Sequence, residues 1–232
     1  MFACFPALDK SRYLCRASRY LLIGALLPIL LSPPGALAAE KISSLLVIGD
    51  SLAAGYGLPA TETFTTRLEA ALTRSGAQVR VINAGVSGDT SAGGRARIAW
   101  SLAAKPDAVL IELGANDGMR GLEPAATKAN LDGILSQIKR AGAEVLLTGM
   151  LAPPNLGREY GAEFAAIFPA LARRHGVLFY PFFLEGVAAN PELNQADRIH
   201  PNAAGVDIIV ERLLPKVKEL LQRVQNKRER GG

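Results

Sequence analysis

Short apolar runs recur along the chain and predict β-strands. Each run is four to six residues long, and Val, Ile and Leu follow one another with little polar alternation. Strands of this composition are covered on both faces, as they are in parallel sheets. The five predicted strands are Ser44–Gly49, Gln78–Asn83, Ala108–Leu113, Glu144–Gly149 and Val177–Tyr180.

Longer stretches between these runs carry helical patterns with ordinary start and stop signals. The predicted helices are Phe64–Arg74 with Thr63 as its cap and Gly76 after it, Pro124–Arg140 with Gly142 after it, Arg158–Arg174 with Gly176 after it, and Ala203 to about Arg223 with Asn202 as its cap. Regular alternation of strands and helices predicts one α/β domain, a three-layer α/β/α sandwich around a five-stranded parallel sheet.

The first residues of the chain have a different pattern. Four basic residues precede an apolar run from Tyr20 to Leu31, and a Ser-Pro-Pro break and Ala36-Leu37-Ala38 follow it. A basic start, an apolar run too short to span a bilayer comfortably and a small-x-small site indicate a secretory signal peptide over residues 1–38. The alternative is an uncleaved membrane anchor. We expect cleavage after Ala38 or Ala39, which leaves residues 39–232 as one exported domain, periplasmic or secreted, without a stable anchor.

Charge and cysteine content change once this segment is set aside. The formal charge of +5 falls to +2, because the segment carries four basic residues and one acid. The basic balance therefore gives no indication of a nucleic-acid partner. The tail Lys227–Arg230 is predicted to be a flexible end. Cys4 and Cys15 both lie in the segment, so the mature chain has no thiol for a disulfide or a metal, and we expect neither a metal nor a cofactor.

Small and polar sequences follow the predicted strands, where ligands bind in open parallel sheets. Gly49-Asp50-Ser51-Leu52 follows the first strand, and Asn83–Thr90 follows the second. Gly114-Ala115-Asn116-Asp117 follows the third, and Asp197-Arg198-Ile199-His200-Pro201 lies near the carboxyl end. Each sequence alone is common in turns. Their joint occurrence at successive strand ends indicates a site.

A serine nucleophile requires a base, and the chain has only two histidines. His175 ends a predicted helix, where an imidazole ordinarily caps carbonyls or faces solvent. His200 has Asp197 three residues before it, close enough in a tight turn to accept from Nδ1–H and fix the tautomer. The alternative is a surface His–Asp pair. We predict Ser51 as nucleophile, His200 as base and Asp197 as the group that orients it.

An oxyanion needs fixed donors where negative charge develops. The Ser51 backbone N–H at a helix entrance is one candidate. The Gly88 N–H is a second, because glycine lets the backbone approach a ligand closely. The Asn116 side-chain amide is a third. Gly88 is also explained by a tight turn, and Asn116 by the stapling of a loop, and both explanations are compatible with the catalytic role.

These four sequences resemble the SGNH (GDSL-type) hydrolases, in particular the small bacterial arylesterases, acyl-CoA thioesterases and lysophospholipases. The match covers Gly49–Leu52, the Gly88 block, Gly114–Asp117 and Asp197–His200 in order. The resemblance implies the flavodoxin-like strand order 2-1-3-4-5, the triad and the three oxyanion donors named above. One departure is Arg198, where many relatives are expected to have glycine.

Apolar loops after the third and fourth strands are candidates for substrate contacts. We predict that a shallow acyl groove is lined by Met119, Leu122, Leu151 and Pro153, with Arg198 at its rim. The alternative is that these loops only cover the end of the sheet. We expect a monomer that acts on a small acyl ester or thioester.

Rival functions remain at this stage. An acylated glycan is one alternative substrate, and a noncatalytic exported binding domain is a different class of function. A nucleotide-binding module is a third possibility, because Gly55-Tyr56-Gly57 follows a strand, although the complete phosphate-binding fingerprints are absent.

Overall fold

The computed structural model describes residues 1–3 and 42–231. Beyond its first three residues, the predicted signal peptide therefore lies outside the described residues. The described residues 42–231 belong to a compact unit of their own. Among the described residues, no helix is long and apolar enough to cross a membrane.

Five parallel strands form one sheet in the order β2-β1-β3-β4-β5. Their bounds are β1 Ser43–Gly49, β2 Val79–Gly85, β3 Ala108–Glu112, β4 Glu144–Thr148 and β5 Leu178–Tyr180. The continuous apolar runs of β1 and β3 are buried almost completely, because these strands lie inside the sheet and helices cover both faces. The five-stranded parallel sheet and the order 2-1-3-4-5 are thereby confirmed.

Within residues 42–231, seven α-helices connect and follow the strands. Their bounds are α1 Ser51–Ala54, α2 Phe64–Arg74, α3 Ser91–Ser101, α4 Ala115–Met119, α5 Pro124–Arg140, α6 Arg158–His175 and α7 Ala203–Gly231. Helices α2 and α7 pack together on one side of the sheet, and α3, α5 and α6 pack in series on the other. The predicted three-layer α/β/α sandwich is confirmed, and the carboxyl ends of β1, β2 and β3 come together at one edge.

Helix starts agree with the sequence in one case and differ in another. Asn202 caps α7 as predicted, since its Oδ1 accepts from the Gly205 N–H at 3.0 Å. Thr63 precedes α2 as predicted but makes no capping bond. Its hydroxyl is bonded instead to Ala60 O at 3.3 Å and to the Thr66 hydroxyl at 3.0 Å. The preceding turn therefore competes successfully for the Thr63 side chain.

The basic residues Lys227–Arg230, predicted to be a flexible end, are helical in the structure. Helix α7 continues to Gly231, well past the expected end at Arg223. The Lys227 ammonium donates to Gly142 O at 2.6 Å, and the Arg228 guanidinium pairs with Asp107 at 2.9 Å. Apolar residues as late as Val224 are buried, so the last turns continue a packed helix and are fixed by two cations.

Candidate active site

The nucleophile candidate lies at the junction of β1 and α1. Ser51 is the first residue of α1 and is 9% exposed. The carboxylate of Asp50 caps the helix by accepting from the Leu52 N–H at 3.0 Å. Gly49 is required immediately before this turn, because a methyl group there would overlap the Glu112 carboxyl. The strand therefore ends in a tight turn that presents Ser51 at the sheet edge.

Ser51, His200 and Asp197 form one continuous hydrogen-bonded chain. His200 Nε2 lies 2.9 Å from Ser51 Oγ, and His200 Nδ1 lies 2.6 Å from Asp197 Oδ2. The structure thus brings together three residues that are up to 149 positions apart in sequence. With Asp197 accepting from Nδ1–H, the Nε2 lone pair faces the serine hydroxyl. This arrangement suits proton transfer from Ser51 to His200.

A tight turn fixes the carboxylate beside the imidazole. Asp197 Oδ1 accepts from the backbone N–H groups of Ile199 at 2.9 Å and His200 at 3.0 Å. The hydrogen bond from His200, followed by these backbone bonds, lowers the pKa of Asp197 to about 2. Asp197 is therefore ionised throughout the neutral range, as a partner of an imidazolium must be.

Arg198 adopts a left-handed backbone conformation within this turn, with φ of 60°. This conformation gives a physical reason for the glycine expected in relatives at this position. Two backbone hydrogen bonds close the turn. The Arg198 N–H donates to Gln195 O at 2.9 Å, and the Gln195 N–H donates to His200 O at 2.8 Å. The Arg198 side chain itself is exposed.

Gln195 and Tyr56 link this turn to the segment that follows Ser51. Gln195 Nε2 donates to Tyr56 O at 2.8 Å and to Pro201 O at 3.0 Å. The ring of Tyr56 packs on the His200 imidazole, with 4.6 Å between their centroids. These contacts restrict the imidazole to an orientation in which Nε2 faces Ser51. Neither residue was identified from the sequence, because no local pattern marks such a long-range contact.

In the described part of the chain, most backbone N–H groups near Ser51 are hydrogen-bonded within the protein, but the N–H of Ser51 itself is not. The N–H groups of Asp50 and Ala53 both donate to Glu112 Oε2, at 3.1 and 3.2 Å, and the Leu52 N–H is bound by Asp50. Within residues 42–231, the Ser51 N–H and the Gly88 N–H make no hydrogen bond. Two of the three predicted oxyanion donors therefore remain available to a ligand.

The third predicted donor, Asn116, is held beside Ser51 by the neighbouring residue. Asn116 Nδ2 donates to Asp50 Oδ2 at 3.1 Å, and the side chain is almost fully buried. One amide hydrogen is occupied in this bond, and the second is left for another acceptor. Burial raises the pKa of Asp50 to about 6, against the opposing effect of its hydrogen bonds from Leu52 and Asn116.

Glu112 is a second buried acid behind the nucleophile. It is the last residue of β3 and is completely buried. Burial, and secondarily the charge of Asp50, raises the pKa of Glu112 well above its ordinary value. Glu112 is the one acid within the apolar run Val109–Leu113, and this was a visible signal in the sequence. No spacing rule connected it to Asp50.

The loop that carries Gly88 is fixed by charged contacts at the ends of β1 and β2. Arg97 Nε pairs with Asp89 at 2.6 Å, and its two terminal nitrogens donate to Ala84 O at 2.6 Å and Gly49 O at 2.9 Å. This guanidinium therefore ties the Gly88 loop to the strand that precedes Ser51. Gly88 itself has φ of 84°, a conformation that favours glycine.

Buried bonds also connect this loop to the Asn116 segment. Asp117 Oδ2 accepts from the Ser91 N–H at 2.8 Å, and Asp117 Oδ1 accepts from the Thr127 hydroxyl at 3.1 Å. Asp117 is 1% exposed. The two segments that carry Gly88 and Asn116 are therefore held against each other by a desolvated carboxylate.

The predicted acyl-groove residues lie at the end of α4, in the turn that follows it, and in the loop after β4. Met119, Leu122 and Leu151 are exposed, and Pro153 is partly exposed. A methyl group at Gly118 would lie 3.3 Å from Ala152 Cα, so α4 and the loop after β4 lie close together. They are brought together at the ends of β3 and β4, but their contact with an acyl group stays a prediction.

A separate cavity lies between Ser51, His200 and the apolar side chains of Leu58 and Phe183. Its volume is about 10 Å³, which is room for one water molecule at most. An acyl chain therefore has no enclosed chamber on this side of the triad.

The second histidine forms a similar pair away from any serine. His175 Nε2 lies 2.7 Å from Asp132 Oδ1, and the imidazole is only 11% exposed. The expectation that His175 caps carbonyls or faces solvent is therefore wrong, because a carboxylate of α5 binds it instead. This pair is a natural comparison for His200 and Asp197.

Among the described residues, no three His, Cys, Asp or Glu side chains are placed to hold a metal ion.

The fold and this constellation define a class of protein, the hydrolases with a Ser–His–Asp site on an α/β sandwich. Comparison with known proteins identifies the family. Residues 47–208 match the model of the GDSL-like Lipase/Acylhydrolase family. The chain belongs to this family and is a hydrolase of the esterase and thioesterase type.

Similar proteins agree with this assignment. The chain is 42% identical over 202 residues to Esterase TesA of Pseudomonas aeruginosa, with 87% of this chain and 98% of the relative covered. It is 39% identical over 184 residues to Thioesterase 1/protease 1/lysophospholipase L1 of Escherichia coli, with 79% and 87% covered. The crystal structure of AlinE4, an SGNH-hydrolase family esterase, superposes with a TM-score of 0.66 at 46% identity and covers 77% of this chain and 96% of its own.

Proposed function

We propose that this protein is an exported, monomeric serine hydrolase that cleaves carboxylic esters or thioesters through an acyl-enzyme on Ser51. The observation that carries the proposal is the unbroken chain of bonds from Asp197 through His200 to Ser51, with lengths of 2.6 and 2.9 Å. Each ring nitrogen of His200 faces one of these two oxygens, Nδ1 the carboxylate of Asp197 and Nε2 the hydroxyl of Ser51. The roles below rest on that geometry.

In the first half-reaction, His200 Nε2 takes the proton from Ser51 as Oγ attacks the acyl carbon. Asp197 stabilises the imidazolium that forms. The carbonyl oxygen becomes an oxyanion and accepts from the Ser51 N–H, the Gly88 N–H and the free amide hydrogen of Asn116. Collapse of this intermediate breaks the bond to the alcohol or thiol, which leaves with the proton from His200.

In the second half-reaction, water attacks the acyl-enzyme. His200 takes a proton from the water, a second oxyanion forms at the same donors, and its collapse returns the proton to Ser51 as the carboxylic acid departs. None of these steps requires a metal or a cofactor.

The substrate side of the proposal rests on the loops that flank the donors. Met119, Leu122, Leu151 and Pro153 form the acyl-binding surface, and exposed Arg198 faces the leaving group. Because the surface is open, it accommodates small or medium acyl groups. Export favours carboxylic esters, lysophospholipids or acylated glycans over acyl-CoA, which is an intracellular metabolite. The relatives named esterase and lysophospholipase fit these chemistries.

Kinetics of two histidine variants test the proposal. His200→Ala is expected to lower kcat by a factor on the order of 10⁴ or more, because the serine loses its base. His175→Ala is the matched control, since it removes the other imidazole of a His–Asp pair, and its kcat is expected to stay within twofold of the parent, roughly the scatter of such a neutral change. Equal losses in both variants would show that folding, and not the triad, had been disturbed.

A further inference from the structure

Arg120 contacts both residues that flank the site from the second and third strands. It lies directly after α4, and its Nη2 donates to Gly88 O at 3.0 Å and to Asn116 Oδ1 at 3.5 Å. Gly88 and Asn116 are the two oxyanion donors that do not belong to the nucleophile turn. One guanidinium nitrogen therefore bridges two segments that are 28 positions apart in sequence.

We propose that Arg120 is a positioning residue that holds Gly88 and Asn116 in the geometry of the oxyanion hole. This inference rests on the proposed function, because it assigns a role only if Gly88 and Asn116 bind the oxyanion. Arg120 does not touch the reacting atoms and acts through these two residues.

The Gly88 contact adds a restraint to a turn that is otherwise held on its far side, where the Asp89 N–H donates to Val86 O at 3.0 Å and the Asp89 carboxylate pairs with Arg97. Gly88 is exposed, has no side chain and has φ of 84°. A glycine in this region is free to rotate, so the direction of its N–H depends on what holds the neighbouring peptide groups. The charged bond from Arg120 to Gly88 O, at 3.0 Å, fixes the carbonyl that follows this N–H.

The Asn116 contact defines the orientation of an amide that has two chemically different ends. Asp50 binds Nδ2 at 3.1 Å, and Arg120 approaches Oδ1 at 3.5 Å. An anion at the amide nitrogen and a cation at the amide oxygen both favour the same rotamer, in which the second N–H remains free. The cation also polarises the amide, which strengthens its N–H as a donor. The longer distance makes this the weaker of the two contacts of Arg120.

The backbone of Arg120 is fixed well enough for this role. Its N–H donates to Asn116 O at 3.1 Å, and the Leu122 N–H donates to Asp117 O at 3.0 Å. The Tyr160 hydroxyl donates to Leu122 O at 2.7 Å, which attaches the same loop to α6. The exposed guanidinium therefore extends from an anchored turn, back over the two donors.

Arg120→Met, Arg120→Lys and Arg140→Met are the variants that test the proposal. Arg140 is an exposed arginine at the end of α5, at the opposite edge of the sheet, and serves as the matched control. For a neutral phenyl ester, Arg120→Met is expected to lower kcat about tenfold with KM within about twofold, because one oxyanion donor is worth about 10²–10³ and two are loosened. Arg120→Lys is expected to recover part of kcat.

A double-mutant cycle separates positioning from a general structural effect. If Arg120 acts through both oxyanion donors, Arg120→Met is expected to cost less than about tenfold in an Asn116→Ala background, because the contact with Asn116 is then absent and only the contact with Gly88 remains. The full tenfold loss in that background would overturn the proposal. A kcat of Arg120→Met equal to that of the control Arg140→Met would also overturn it. A loss restricted to phosphate-bearing esters, and seen in KM, would also overturn it, since Arg120 would then bind substrate.

The failure of the proposed function is measured independently. If Ser51→Ala retained activity, the serine mechanism would fail before Arg120 was considered. If Ser51→Ala is inactive and the Arg120 variants behave like the control, only the positioning role is refuted.

Discussion

Glu112 supports the nucleophile turn, and we expect it to do so in its protonated form, which is tested by comparing Glu112→Gln with Glu112→Ala. Its Oε2 accepts from the N–H groups of Asp50 and Ala53, at 3.1 and 3.2 Å, on either side of Ser51. Burial and the charge of Asp50 raise its pKa well above the ordinary 4.5. A glutamine keeps the accepting oxygen and the shape of the neutral acid. An alanine removes both.

The structure gives magnitudes for the two variants at neutral pH. Alanine leaves two buried N–H groups without an acceptor, which costs about 1–3 kcal/mol for each, or about 2–6 kcal/mol together. A cavity adds to this cost. Such a loss is a large part of a typical free energy of unfolding of about 5–15 kcal/mol. Glutamine is expected to cost less than alanine, because both N–H groups keep their acceptor.

The pH dependence sharpens the comparison. In the unfolded chain Glu112 ionises near 4.5, whereas in the folded protein it keeps its proton to a much higher pH. The folded state therefore binds more protons above pH 4.5, and the free energy of unfolding of the parent falls as the pH rises, by about 1.4 kcal/mol per pH unit for this group. Glu112→Gln lacks this dependence, so its stability is expected to improve relative to the parent from pH 5 to pH 7.

Urea unfolding at pH 5, 6 and 7 measures these differences, with Glu163→Ala on the exposed face of α6 as the control. If Glu112→Gln were as unstable as Glu112→Ala, or if its difference from the parent did not change with pH, Glu112 would be required as a carboxylate and the reasoning would be refuted.

Two further predictions concern Arg198 and metals. Arg198→Gly is expected to relieve the left-handed backbone and raise the free energy of unfolding by up to about 1 kcal/mol in urea titrations. In the same variant, neutral phenyl ester hydrolysis is expected to stay within about threefold while phosphate-bearing esters react more slowly, since arginine binds phosphate well; equal changes for both substrates would place Arg198 outside the site. Prolonged chelator treatment is expected to leave the rate unchanged, and a loss that a divalent ion restores would contradict the metal-free mechanism.

Local patterns predicted much of the fold. The strands were found within two residues at each end, α2 at its observed bounds and α5 with its observed end at Arg140, because apolar periodicity and end signals are properties of neighbouring residues. Helix α3 was not predicted as an element. Its Gly93 and Gly94 weaken any helical pattern, and their small size is explained by close approach to Asp89 and Leu113.

The sequence pointed to the candidate catalytic residues but not to the residues that hold them in place. Ser51, Gly88 and Asn116 follow strand ends in recognisable short sequences, so their meeting at one edge follows from a parallel sheet. Asp197 and His200 were recognised from their own short sequence, which lies well past the end of β5. Their supporting partners carry no such local signature. Glu112 binds N–H groups 59 and 62 positions away, and Gln195 reaches Tyr56 across 139 positions. Such pairs depend on loop paths that sequence periodicity does not specify.

Covalent labelling of Ser51 tests the central claim most directly. The parent, His175→Ala, His200→Ala and Ser51→Ala are incubated with a fluorophosphonate, and the modified residue is located by peptide mass spectrometry. The account predicts one phosphonylated residue, Ser51, at similar rates in the parent and His175→Ala, with labelling slowed by orders of magnitude in His200→Ala and absent in Ser51→Ala. Labelling at another serine, or equal labelling with and without His200, would contradict it.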